Sequence, residues 1–283
     1  MKNLPTSASG SNSIGIICGS GSYPKLVAAV CMEKNLDFCM LFVNDNCNRS
    51  DFADYRNAPS LSVDIGKIGT ALDFLHKHDV NKIVFAGGVK RPNFKQLALD
   101  AKGASWLLKL GKSVLLGDDA LLSALAKLLQ QEGFEVIAGT DLIGGAFVQA
   151  GVLSSKQPAE NDFSDIKIGV EAARNIGLLD IGQSVIVHDG LVLGVECVEG
   201  TDQLIERCAL LRKSETGGVL VKMSKPQQDN RLDLPTVGPN TIDLLHAHKF
   251  SGVAVESGKC IVIDRRSVLQ KANDFSIFMY GVS

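Results

Sequence analysis

Short, nearly unbroken apolar runs recur through the first half of the chain, with amphipathic stretches between them. IGIIC at residues 14–18, FCMLFV at 38–43 and KIVFA at 82–86 lack polar alternation, the pattern of strands covered on both faces. Residues 62–65 read as a short further strand and FEVI at 134–137 as the one that closes the set. Residues 26–34 and 70–78 carry apolar side chains at helical spacing, and two longer helical patterns fill residues 94–110 and 118–131. Strands that alternate with helices imply parallel pairing through crossover connections. The expectation is an α/β fold whose first domain is Rossmann-like with a mainly parallel sheet.

The second half has another texture. A polar, Pro-containing loop at residues 154–164 leads to a helical pattern at 165–175. SVIVHDGLVLGVECVE follows, and its Asp189-Gly190 pair between apolar runs signals a tight hairpin. Helices are expected at residues 202–212, 240–248 and 267–272, and strands at 218–222, 253–255, 260–263 and 276–280. This describes a second α/β domain with a mixed sheet and helices. The expected division is a disordered tail at residues 1–12, an N-terminal domain at 13–138 and a C-terminal domain at 139–283, because the first sheet is complete by then.

Composition narrows the class. With 283 residues, 45% hydrophobic and 21% charged, the chain can bury a core of useful size. A formal net charge of -2 argues against a nucleic-acid partner, which usually draws a basic excess. The seven cysteines form no C-x-x-C pair and lie mostly in apolar runs, as free thiols do in a reducing compartment. The opening MKNLPTSASGSNS has no apolar core of the secretory type, and no run reaches the roughly 18–20 apolar residues of a membrane span. A cytoplasmic protein is expected.

Five stretches could carry chemistry. GSGSYP places Gly19, Ser20 and Gly21 directly after a strand, where glycine lets backbone approach an anion. A dinucleotide fingerprint needs glycine where Pro24 stands, although Asp45 could imitate the ribose-binding acid of such a fold. AGGVKRP brings Gly87, Gly88, Lys90 and Arg91 to the carboxyl end of another strand, with cationic donors for phosphate. In GDDALL, Asp118 or Asp119 can cap a helix, and the other can bind a metal or a substrate hydroxyl. In VEGTD, Thr201 or Asp202 can cap a helix, and Glu199 and Asp202 can serve as oxygen ligands for Mg²⁺. The fifth runs from Lys222 to Thr241 and contains QDNRLDLPTVGPNT. Its prolines favour an extended path, so Asp229, Arg231 and Asp233 can share one side, with Gln228 adjoining. The bland alternative is a salt-bridged surface loop of little energetic consequence. His76 with His78, and His246 with His248, are spaced so that they do not share a helix face. The apolar cluster around Trp106 reads as core or as the lining of a lipid groove.

In order, these motifs resemble the LpxI-type UDP-2,3-diacylglucosamine pyrophosphatases of Gram-negative lipid A synthesis, over nearly the whole chain from Ile14 to Val282. The resemblance implies two α/β domains with substrate held between them. It implies Mg²⁺-dependent hydrolysis, with Mn²⁺ as the substitute metal, to 2,3-diacylglucosamine 1-phosphate (lipid X) and UMP. It implies that water attacks the phosphorus nearer the sugar. An important family aspartate falls on Asp229 or Asp233, with Asp229 preferred. On that reading Asp229, Asp233 and Arg231 are catalytic, and Asp229, Asp233 and Glu199 hold the metal. Gly19, Ser20, Gly21, Gly87, Gly88, Lys90, Arg91, Asp118, Asp119, Thr201, Lys222 and Gln228 contact substrate. The expected partners are a lipid-bearing nucleotide sugar, the cytoplasmic face of the inner membrane and a second copy of the chain. Two other readings stand beside it: a nicotinamide-dependent oxidoreductase built on the glycine turn and Asp45, and a nucleotide-sugar or lipid-binding protein without catalysis.

Overall fold

The computed structural model describes residues 13–115, 117–143, 147–226 and 234–283. They fall into two compact units. The first holds the described residues up to Val114 together with 123–143, and the second holds Leu115–Leu122 and the described residues after 143.

In chain order the first unit contains β1 (Ser13–Cys18), α1 (Tyr23–Glu33), β2 (Phe38–Val43), a 3₁₀ segment Arg49–Tyr55, β3 (Ser60–Val63), α2 (Ile68–Lys77), β4 (Val80–Ala86) and α3 (Ala101–Leu110). Next come α4 (Asp118–Gln131), whose first residues belong to the second unit, then β5 (Glu135–Val136) and α5 (Gly139–Ile143). The strands are all parallel in the order β3-β2-β1-β4-β5. The order reverses between β1 and β4, the kind of point at which open α/β sheets hold ligands. Ile14, Ile16 and Cys18 of β1 are buried with Val27, Ala28 and Cys31 of α1, and Pro24 occupies the first turn of α1, where its missing N–H costs nothing.

One expected helix is shorter than its pattern. Helical spacing begins near residue 94, but α3 starts at Ala101. The reason is Asp100, whose carboxylate accepts from Gly103 N at 2.6 Å and from Gly69 N at 2.8 Å. It caps α3 and braces the start of α2 at once, so the residues before it are irregular. Trp106 is buried at 3% exposure, a core residue of this unit.

The second unit contains β6 (Gly151–Val152), α6 (Glu160–Leu178), β7 (Ser184–His188), β8 (Leu191–Val195), α7 (Gly200–Ala209), β9 (Val219–Lys222) and β10 (Thr236–Val237). It ends with α8 (Pro239–Ala247), β11 (Gly252–Glu256), β12 (Ile261–Val262), α9 (Arg265–Asp274) and β13 (Phe278–Val282). Six strands form a mixed sheet in the order β6-β13-β11-β9-β7-β8, with β13, β11 and β9 parallel and the other pairings antiparallel. β10 and β12 make a separate parallel pair. The expected hairpin is present, with Asp189 and Gly190 at φ 49° and 76° in the turn between β7 and β8.

Residue alternation sorts the two faces of this sheet. Val185, Val187, Val219 and Val221 pack with Ile166 and Ala173 of α6. Ile186, Leu220, Val253 and Val255 pack on the other side with Leu204, Ile242, Leu245 and Val268 of α7, α8 and α9. α6 begins five residues before the expected start, because Asp162 reaches back to accept from Ala159 N at 2.8 Å. No described helix is long and apolar enough to cross a membrane.

Candidate functional site

In the first unit the two glycine loops meet. Ser20 N donates to Gly88 O at 2.7 Å, Gly88 N donates to Ser20 O at 3.2 Å, and the Ser20 hydroxyl donates to the same Gly88 carbonyl at 3.0 Å. Gly19 N donates to Ala86 O at 2.7 Å. A β-carbon on Gly19 would stand 2.4 Å from Gly88 O, and one on Gly87 would stand 2.2 Å from Ser20 O. These two glycines are therefore explained by backbone contact between the ends of β1 and β4, at the point where the strand order reverses. Gly21 differs: its φ is 88° and nothing lies within 4 Å of where its β-carbon would be. Further along, Lys90 N donates to Asn46 Oδ1 at 2.6 Å and the Arg91 guanidinium donates to Val114 O at 2.6 Å. The exposed Lys90 thus has its backbone fixed at the carboxyl end of the sheet.

In the second unit, the polar groups gather at the carboxyl ends of β9 and β11. Lys222 is the last residue of β9 and is buried, with its ammonium donating to Thr201 Oγ1 at 2.9 Å. The Thr201 hydroxyl donates to Glu196 Oε1 at 2.7 Å, and Gln183 N donates to Glu196 Oε2 at 3.3 Å. Burial pushes the Glu196 carboxyl up, but the Lys222 charge and these hydrogen bonds more than offset it and hold it below the usual range. Lys222 and Thr201, expected to contact substrate, are therefore direct neighbours. Glu196 was not among the expected site residues. Nearby, Glu256 accepts from Ser224 N at 3.0 Å and pairs with Lys259 at 3.1 Å.

Glu199 lies beside Thr201 in sequence, yet its carboxylate turns to Arg207 at 2.8 Å and accepts from Cys197 N at 3.1 Å. Burial raises its carboxyl, and the Arg207 interaction outweighs that to give a net lowering. Asp118 and Asp119 occupy the first turn of α4, where carboxylates suit the helix dipole. Asp119 does more than that. Lys225, just beyond β9, lies 3.3 Å from Asp119 and 2.6 Å from Asp180, which sits past the end of α6. Burial and the neighbouring Asp180 raise the Asp119 carboxyl, and Lys225 opposes both.

Gln228, Asp229, Arg231 and Asp233 lie outside the described residues. Among the described residues, no three His, Cys, Asp or Glu side chains come together as a metal site. Glu196, Glu199, Glu256 and Asp119 each already face a base.

The LpxI N-terminal domain model matches residues 13–145, and the LpxI C-terminal domain model matches residues 149–280. Among curated proteins, the UDP-2,3-diacylglucosamine pyrophosphatase LpxI of Caulobacter vibrioides is 35% identical over 277 residues, spanning 95% of this chain and 97% of that one.

Proposed function

The chain belongs to the LpxI family, and from that premise we propose that it hydrolyses the diphosphate of UDP-2,3-diacylglucosamine, giving 2,3-diacylglucosamine 1-phosphate and UMP in lipid A synthesis. The observation that carries this reading is the end-to-end match to a relative of that name, with 97% of its length covered. The chemistry of the second unit supports it. Cleavage of a diphosphate builds negative charge on phosphoryl oxygens, and a buried ammonium fixed by a hydroxyl is a preorganised partner for that charge. Lys222, held through Thr201 by Glu196, meets this description at the carboxyl ends of parallel strands.

Asp229 is proposed to orient and deprotonate the attacking water, with Asp233 and Arg231 beside it and Gln228 on the substrate. Water attacks the phosphorus nearer the sugar. The bond from that phosphorus to the bridging oxygen breaks, and UMP leaves with the bridging oxygen. Mg²⁺ or Mn²⁺ is proposed at Asp229 and Asp233, where it would neutralise diphosphate charge. Glu199 joins that set only by giving up Arg207. A substrate with two acyl chains resides in a bilayer, so we also propose action at the cytoplasmic face of the inner membrane, with the active form a homodimer.

Purified protein with UDP-2,3-diacylglucosamine and Mg²⁺ should release UMP, and EDTA should stop it. In H₂¹⁸O the label should enter the lipid product and leave UMP unlabelled. Absence of turnover with either metal would overturn the reading. Label in UMP would overturn only the point of attack. Asp229→Ala should abolish turnover while substrate still binds, and full activity in that variant would remove Asp229 from the reacting groups.

A further inference from the structure

The Lys222 ammonium is buried with most of its hydrogen-bonding capacity unspent. The residue is 7% exposed, and among the described residues one of its three N–H donors is used, on Thr201 Oγ1 at 2.9 Å. Burying unpaired donors is costly, so the other two point to an acceptor that arrives with a ligand. The buried carboxylates at this edge of the sheet do not fill that role. Glu256 accepts from Ser224 N and pairs with Lys259. Glu196 reaches Lys222 through the Thr201 hydroxyl.

Valence fixes where the protons lie in this chain of groups. An ammonium only donates, so Thr201 Oγ1 receives from Lys222 and sends its own single proton to Glu196 Oε1 at 2.7 Å. The second oxygen, Glu196 Oε2, accepts from Gln183 N. Both oxygens of Glu196 thus act as acceptors. A carboxylate can do this, whereas a carboxamide has one acceptor oxygen and would leave Gln183 N unmet or turn its NH₂ on Thr201. The hydroxyl between the two charges matters as well. A direct ion pair would set the carboxylate against the ammonium and take up its donors. The spacer anchors the ammonium at one point and leaves two N–H groups for another partner. Thr201, expected to contact substrate, has its proton and a lone pair committed within the protein.

We propose that Glu196 is a positioning residue for the hydrolysis: acting through Thr201, it holds the Lys222 ammonium with two free donors for the phosphoryl oxygens. The assignment rests on the proposed pyrophosphatase reading, and its test separates the two. Steady-state UMP release is measured for the full chain and for Glu196→Gln, Thr201→Val, Thr201→Ser and the double variant Glu196→Gln with Thr201→Val. Glu196→Gln and Thr201→Val should each lower kcat about tenfold, the scale of one hydrogen bond. KM should stay within about twofold, because the loss falls on the transition state. Thr201→Ser keeps the hydroxyl and should stay near the wild-type rate. The double variant should be no slower than Thr201→Val alone, since Glu196 acts through that hydroxyl. A merely structural Glu196 would lower the urea midpoint and leave kcat of the folded variant untouched. Wild-type kcat in Glu196→Gln, or a further loss of about tenfold on adding it to Thr201→Val, overturns the assignment. Should Glu196→Gln fail to fold, the two Thr201 variants decide, and equal kcat in the valine and serine forms overturns it. A wild type that releases no UMP with Mg²⁺ or Mn²⁺ defeats the pyrophosphatase reading alone. The arrangement is then read with acetic anhydride, which acylates uncharged amines. Without the carboxylate charge, Lys222 in Glu196→Gln should be labelled about tenfold faster than in the wild type, and equal labelling overturns the assignment.

Discussion

At the scale of single residues, Glu196 is the most informative side chain. Only 7% of it is exposed, and it faces the buried Lys222 through the Thr201 hydroxyl. Its carboxyl is held below the ordinary range, so it contributes stability above the unfolded value of about 4.3 that is lost as pH falls through the lower folded value. Glu196→Gln should therefore cost on the order of 1–3 kcal/mol at pH 7, with a smaller deficit at pH 3. Urea unfolding at both values measures this, and an equal deficit at the two would contradict it. Lys222→Met removes the cation proposed to meet phosphoryl charge. It should lower kcat by about 100-fold, the scale seen when one preorganised donor is lost, and steady-state UMP release reads it. Lys222 and Thr201 stand out as candidates in the sequence because each stands where a strand or loop gives way to the next element. Glu196 was not legible. In VECVEG it is one acid among apolar residues after a hairpin, and only tertiary burial distinguishes it from a surface residue.

At the scale of elements, period and turn chemistry carried most of the fold. Asp189-Gly190 announced its hairpin because the turn needs positive φ at both positions, and the apolar runs announced the parallel strands. Element starts were less legible, since they depend on which carboxylate closes on which N–H, as Asp100 and Asp162 do. The hairpin also has a brace that no local pattern reveals. Asp165 of α6 is 3% exposed and accepts from Asp189 N at 3.1 Å and Gly190 N at 2.7 Å. Asp165→Ala would leave both turn amides without this acceptor. The expected cost is about 1–3 kcal/mol, read as a lower urea midpoint with an unchanged m-value. Because the hydrogen bonds of Asp165 among the described residues run to the hairpin turn, kcat below the melting transition should stay at the wild-type level. Close packing of the same helix sets a further limit. A β-carbon on Gly169 would stand 2.4 Å from the Val221 side chain of β9, so Gly169→Ala should destabilise by about 1–3 kcal/mol through overpacking.

At the scale of the whole molecule, the feature hidden from the sequence is where the chain passes from one unit to the other. Residues 115–122 belong with the second unit although the rest of α4 belongs with the first. Within that unit Lys225, whose side chain is 11% exposed, pairs with Asp119 of this segment and with Asp180. The partners are 106 and 45 residues away from it in sequence, so no window of pattern could join them. Lys225→Met should cost on the order of 1–3 kcal/mol at pH 7, because two half-buried carboxylates would face each other without the Lys225 charge between them. The pH dependence has a definite sign. A carboxyl whose folded value is raised destabilises the fold above that value and is relieved as it takes a proton, and Asp119 is already raised in the presence of Lys225. The variant should therefore regain part of its lost stability as pH falls from 7 to 5. Adding Asp119→Asn should restore much of it at pH 7 by removing one of the two charges. Thermal unfolding of the single and double variants at both pH values decides the matter. A deficit that is the same at pH 5 and pH 7, or one that Asp119→Asn leaves untouched, would show that the trio does not stabilise the second unit.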